Sequence, residues 1–197
     1  QIDHKFNFHV HTAAAIKKAS QVLGLIKRTY ITRDADTITT LYKSLVRPHL
    51  EYGNLIWGPN LKEDMKSVEK IQWRATKIIF NLKDTPYEDR LQILDLPSLY
   101  YRRKRGDMIQ TYKIMNRLVR LKPTTLFEPA RYSSTRGHKQ NLCKKKATKT
   151  QRTKSFGIRV VNDWNNLANN VIEAPSINIF KNRLDTFWVD KKFKTDL

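Results

Sequence analysis

Apolar residues recur every three or four positions along most of this 197-residue chain, the spacing of helices that each bury one face. The densest stretch runs from Leu41 to Trp57. Leu41, Tyr42, Leu45 and Val46 fall on one helical face, and Gly58-Pro59 ends the stretch. Pro48 withholds a backbone donor and should kink or break the helix near Ser44 to Val46. The flanking helices are expected to bury their apolar stripes against this pivot. Asp34 or Asp36 caps it by accepting from free backbone N–H groups.

Upstream, Phe6, Phe8 and Val10 alternate with polar residues, which predicts a short edge strand within 1–12. It has no evident partner strand, and the chain starts with Gln1, so the sequence is expected to be a piece of a longer protein. Thr12 caps a helix to about Tyr30, with Ile16, Ala19, Val22 or Leu23, and Ile26 inward and Lys17, Lys18, Gln21 and Arg28 largely outward. Asn60 caps a helix expected to reach Leu82, carrying Glu63 and Asp64 in its first turn. Thr85-Pro86-Tyr87-Glu88 reads as a capping box, and Pro97 opens a long helix from about Ser98 to Leu121 that Pro123 ends. The pattern fails over 122–155 and returns at Phe156, Val160, Val161 and Trp164. Pro175-Ser176 then caps a last helix aligning Ile177, Phe180, Leu184 and Phe187. The expected fold is mainly α: a helical bundle over 13–121 behind the short N-terminal strand. A basic flexible linker over 122–155, C-terminal helices over 156–190 and a tail over 191–197 follow.

Charge changes the picture most. Thirty-eight Lys and Arg stand against 18 Asp and Glu, a net charge of +20, and the pI is about 10.1. Such a field favours polyanions, nucleic acid above all, and exceeds what solubility requires. Between Pro129 and Asn162 there are ten Lys or Arg and no acid, half of the net excess. No apolar run approaches the roughly 20 residues that span a bilayer. The single cysteine, Cys143, excludes an internal disulfide and a multi-cysteine zinc site.

Arg102, Arg103, Lys104 and Arg105 lie within a predicted helix, where four successive residues cover about 300° of the circumference. They cannot share one solvated face, so some heads must snorkel or meet a phosphate or a carboxylate. Phosphate contact is the reading taken, against nearby acids such as Asp95 and Asp107. Arg136, His138 and Lys139, with Lys144, Lys145 and Lys146, sit in the acid-free stretch and suit a phosphate backbone. The lysine triplet also makes a weak nuclear-import signal. Lys17 and Lys18, on the polar face of the first helix, complete the candidate nucleic-acid-binding set. Trp57, Trp73, Tyr100, Tyr101 and Trp164 are expected in the core; of these Tyr101, beside the basic run, is the candidate to test for stacking on a base. His9 and His11 would share one side of a strand but do not close a metal site, and no metal site is assigned. Neither a nucleophile–histidine–acid set nor a glycine-rich phosphate loop stands out.

Several segments, in order, resemble the C-terminal portion of non-LTR retrotransposon (LINE) reverse transcriptases of the jockey-like and chicken-repeat type. They are Phe8-His9-Val10-His11, 19–28, 41–53 with Ile56-Trp57, 69–77, and Tyr87-Glu88-Asp89-Arg90-Leu91. Arg102-Arg103-x-Arg105-Gly106-Asp107, Thr135-Arg136-Gly137-His138, Trp164-Asn165-x-Leu167 and Phe180-Lys181-x-Arg183-Leu184-Asp185 complete the series. Ala168 stands where the family usually has Pro. The resemblance implies a thumb and post-thumb region that holds a primer–template of RNA and DNA. The catalytic palm, with its Tyr-x-Asp-Asp carboxylates and two Mg ions, would lie in a missing part of the same polypeptide. This chain contains no Asp-Asp pair, so it is expected to be inactive alone and to hold no cofactor itself. The resemblance favours an intracellular, nuclear location, with neither membrane nor small-molecule partner expected. The alternative is a non-catalytic relic acting as a general nucleic-acid-binding or interaction protein.

Overall fold

The structure, a computed structural model, describes residues 8–59, 61–130 and 138–195. It is mainly helical, as the periodicity predicts. The chain divides into two compact units, Gln1–Arg103 with Lys192–Leu197, and Lys104–Lys191. The division falls inside a helix rather than at the expected boundary after residue 121.

In the first unit, α1 (His9–Thr29) packs on α3 (Arg47–Glu51) and α5 (Lys62–Thr76), with α2 (Ala35–Leu41), α4 (Asn54–Trp57) and α6 (Tyr87–Ile93) around them. Leu23, Ile26, Ile38, Tyr42, Val46, Leu50, Ile71 and Leu91 are among the residues of the shared core. The start of α1 corrects the predicted strand, of which residues 1–7 lie outside the described residues. Thr12, Ala19, Leu23 and Ile26 are buried at helical spacing, and the Thr12 hydroxyl donates to the Phe8 carbonyl at 2.9 Å. The apolar stripe therefore reaches back through Thr12, which is inside the helix and does not cap it. His9 and His11 are two residues apart on a helix, about 200° around its axis, and not on one side. Asp34 caps α2, its Oδ1 accepting from Thr37 N at 2.8 Å. That backbone N–H, the largest of several hydrogen-bonding influences, holds the Asp34 carboxyl below its usual range.

Between α2 and α3 the backbone widens into a π-helical turn over Tyr42–Val46, where Arg47 N–H donates to the Tyr42 carbonyl. Pro48 offers no N–H to the Ser44 carbonyl, and the widened turn sits where the proline was expected to disturb the helix. Two other expectations fail here. The Thr85–Glu88 capping box is not formed: Pro86 occupies the N-cap of α6, and no side chain caps it. α5 starts at Lys62 after Leu61, and Asn60 lies outside the described residues. α5 also stops at Thr76 instead of Leu82, followed by a short 3-10 turn over Phe80–Leu82.

α7 (Leu99–Met115) runs from the first unit into the second. It ends six residues before the predicted Leu121 because Arg117 takes a left-handed conformation, φ 55°. Leu118 N–H donates to Lys113 O at 2.8 Å and Arg117 N–H to Ile114 O at 3.0 Å, a Schellman closure made without glycine. The second unit adds α8 (Pro123–Leu126), the antiparallel pair β1 (Glu128–Pro129) and β2 (Leu142–Cys143), and α9 (Thr150–Thr153). It ends with α10 (Phe156–Arg159), α11 (Val161–Asn165), α12 (Asn169–Ile172) and α13 (Ile177–Phe187). Its core includes Met108, Ile114, Val171 and Leu184. Tyr112 stacks on Phe180 at 4.3 Å and donates its hydroxyl to Ala174 O at 2.6 Å. Ser176 caps α13 as predicted, its Oγ accepting from Ile179 N.

The stretch expected to be a coreless linker is anchored to this unit at several points. Phe127, His138 and Leu142 are buried. The Asn165 side chain accepts from Leu142 N and donates to Leu142 O, both at 2.9 Å, so one amide serves as a strand neighbour. Trp164 Nε1 donates to Gln140 O at 3.0 Å. Composition concealed this because a few apolar and amide side chains, not a periodic stripe, make the attachment.

Candidate nucleic-acid interface

The basic run of α7 does turn its side chains around the helix, and the chain's own acceptors meet them. Arg102 makes a two-pronged pair with Glu51, Nη2 lying 2.9 Å from Oε2. Arg103 donates to Pro59 O at 3.0 Å and stands over the Tyr100 ring. In the second unit Lys104 reaches Asp163 at 2.8 Å, and Arg105 grips Asp185 at 2.5 and 2.7 Å. The acids named from sequence proximity serve others: Asp107 pairs with Arg159 at 2.8 Å, and Asp95 with Lys192 at 2.6 Å. The chosen alternative, phosphate, thus competes with carboxylates from distant segments, which linear spacing could not identify.

Two of the remaining candidates are internal. Tyr101 is 3% exposed and cannot offer a ring face to a base. His138 is 4% exposed, with Nε2 3.0 Å from Trp164 O and its ring edge-on to the indole, so it is a packing residue and no phosphate contact. Tyr101 fills the inner face of α7 and His138 packs on Trp164, which outweighs their basic neighbours. Lys17, Lys18, Lys139, Lys144, Lys145 and Lys146 are exposed, Lys145 lying 3.9 Å from Glu128. Arg136 lies outside the described residues.

Folding assembles a different basic site in the first unit. Ser20, Gly24 and Lys27, at helical spacing on α1, form one side of an open groove of about 680 Å³. Arg33 from the α1–α2 connection, Arg74 and Lys77 at the end of α5, and Lys83 beyond it complete a ring of five cations, with Asp84 the one acid on the lining. Among the described residues, none of the five is held by a carboxylate. Lys27 and Arg74 lie in the last turns of α1 and α5, so the helix carbonyl ends favour their charge. That interaction leaves the heads in water.

Trp73 lines the groove half-buried, with Lys77 Nζ 4.8 Å and the Arg90 guanidinium 5.5 Å from its ring centre. Arg90 is itself buried beside Tyr87, and burial pulls its pKa below the usual value. No protein-family model matches the chain, and neither a curated protein nor a solved structure is significantly similar to it. The groove's chemistry therefore has to speak for itself: solvated cationic heads around a concave, partly aromatic wall suit a polyanion with planar groups.

Five cations spread over 57 positions of sequence carry no linear signature. The decisive event is the end of α5. Had that helix continued to Leu82, Phe80 and Lys83 would occupy other positions around its axis. Ile79 instead turns inward in extended conformation, and Phe80 N–H donates to Arg33 O at 3.2 Å. A second network centres on the buried Glu69. Glu69 accepts from the Tyr87 hydroxyl at 2.6 Å and from Tyr100 N at 3.3 Å. Burial raises the Glu69 pKa above the ordinary value, although these hydrogen bonds pull it down. Burial, followed by the Glu69 charge, raises that of Tyr87.

Proposed function

We propose that this chain grips nucleic acid through the cationic groove of its first unit. In keeping with the resemblance described above, it would serve as the thumb and C-terminal region of a non-LTR retrotransposon reverse transcriptase. Its task is to hold an RNA–DNA primer–template for a palm carried elsewhere, where the metal-assisted chemistry takes place. The observation that carries the reading is the set of five groove cations without carboxylate partners among the described residues. The exposed Lys144–Lys146 run adds sequence-independent attraction.

Phosphate binding of this kind releases counterions. Five phosphate contacts on a duplex give a log–log salt slope of about −4.5, a loss of about 500-fold in affinity between 50 and 200 mM salt. Fluorescence anisotropy with a labelled RNA–DNA hybrid measures it directly. A slope near zero, or no binding in dilute buffer, would remove the proposal.

A further inference from the structure

Phe80 is 81% exposed, although it belongs to the well-packed first unit. Solitary exposed aromatics are ordinary on protein surfaces and by themselves mean little. This one is held in place. Its neighbours Ile79 and Leu82 are buried, its own N–H is tied to Arg33 O, and it stands on the wall of the cationic groove. The other groove aromatic, Trp73, already has two cations against its ring. Phe80 is thus the groove aromatic whose ring is open to water, and Arg33, Lys77 and Lys83 share its surroundings.

We infer that Phe80 is a stacking platform for an unpaired base, whose flanking phosphates the groove cations hold. The inference rests on the nucleic-acid reading above and narrows its substrate class: the preferred ligand is a hybrid with a single-stranded overhang, not a fully paired duplex. Paired bases inside a duplex are already stacked on both faces and have none to offer a phenyl ring; only the end pairs of a blunt hybrid expose one. An unpaired base of any identity has such a face, so the contact tolerates any sequence.

The test compares a blunt RNA–DNA hybrid with the same hybrid carrying a five-nucleotide overhang, on the native chain, Phe80→Ala and Phe80→Tyr. The native chain should bind the overhang more tightly. Phe80→Ala should lose about five- to 160-fold on the overhang and far less on the blunt hybrid. Phe80→Tyr should keep most of the preference. An unchanged overhang affinity in Phe80→Ala, or an equal loss on both ligands, overturns the stacking inference while leaving the groove reading intact. Absence of salt-dependent binding to either ligand by the native chain removes both. Because the side chain is exposed, thermal melting of Phe80→Ala should match the native chain.

Discussion

On α7, Arg102, Lys104 and Arg105 each face a carboxylate of the chain; around the groove, Lys27, Arg33, Arg74, Lys77 and Lys83 share a surface with the single acid Asp84. The first group is dense in sequence, and the second is scattered. Crowding cations onto consecutive helical positions forces some toward packed neighbours, where desolvation demands a counter-ion. Scattered cations can each stay on a solvated face and still converge in space. Linear charge density is therefore a poor guide to the charge a partner can use.

The largest expected effect separates the two groups. Replacing Lys27, Arg74 and Lys77 together by Ala should lower affinity for an RNA–DNA hybrid about 500-fold at 0.1 M salt, and flatten the salt slope by about 2.7. Anisotropy titration reads both. A smaller slope change with unaltered stability would move the binding surface toward Lys144–Lys146. Asp107→Ala tests a further ion pair of α7, outside the basic run. It removes the two hydrogen bonds that the Arg159 guanidinium makes to that carboxylate, and should cost about 3 kcal/mol of stability with little change in binding. Urea denaturation followed by circular dichroism checks it. A stability loss below about 1 kcal/mol would mean that this pair is dispensable and the Arg159 charge available.

The smallest effect concerns Glu69, an internal acid whose burial outweighs its hydrogen bonds and the nearby Arg103 charge. Its folded pKa lies above the unfolded value of 4.5, so the folded state holds the proton more tightly. Its contribution to stability is complete below pH 4.5 and declines as pH rises through the folded pKa. Glu69→Gln keeps an acceptor for Tyr87 and cannot ionise. Relative to the native chain it should gain stability progressively above pH 4.5 and then level off. Denaturation midpoints measured from pH 4 to 8 should diverge in that direction; parallel profiles would contradict the shift.

The helices and most of their buried faces were legible because periodicity is a property of local sequence: Ala19, Ile26, Phe180 and Leu184 are buried as their spacing implies. The Ser176 cap and the disturbance before Pro48 were legible for the same reason. Helix ends set by tertiary packing were not. Nothing in Lys77–Phe80 breaks a helix by composition, and Arg117 closes α7 in a conformation usually left to glycine. The basic groove depends on the first of these ends and was missed with it. Segments that carry the family resemblance also meet inside each unit. Arg102 joins Glu51, Arg105 joins Asp185, and the Trp164 carbonyl lies beside His138. Several motif residues that look functional in the sequence thus have structural employment.

The wide turn at Tyr42–Val46 has a geometric result. Ile38, Tyr42, Val46 and Leu50 are spaced by four and all buried. An α-helix turns about 100° per residue, so each four-residue step would drift by about 40°, and three such steps would rotate the last side chain far from the first. Closing one turn over five residues winds the backbone back and resets the phase. What looks like a defect beside a proline acts as a vernier, holding a four-residue repeat in line with a core that an unbroken helix would leave.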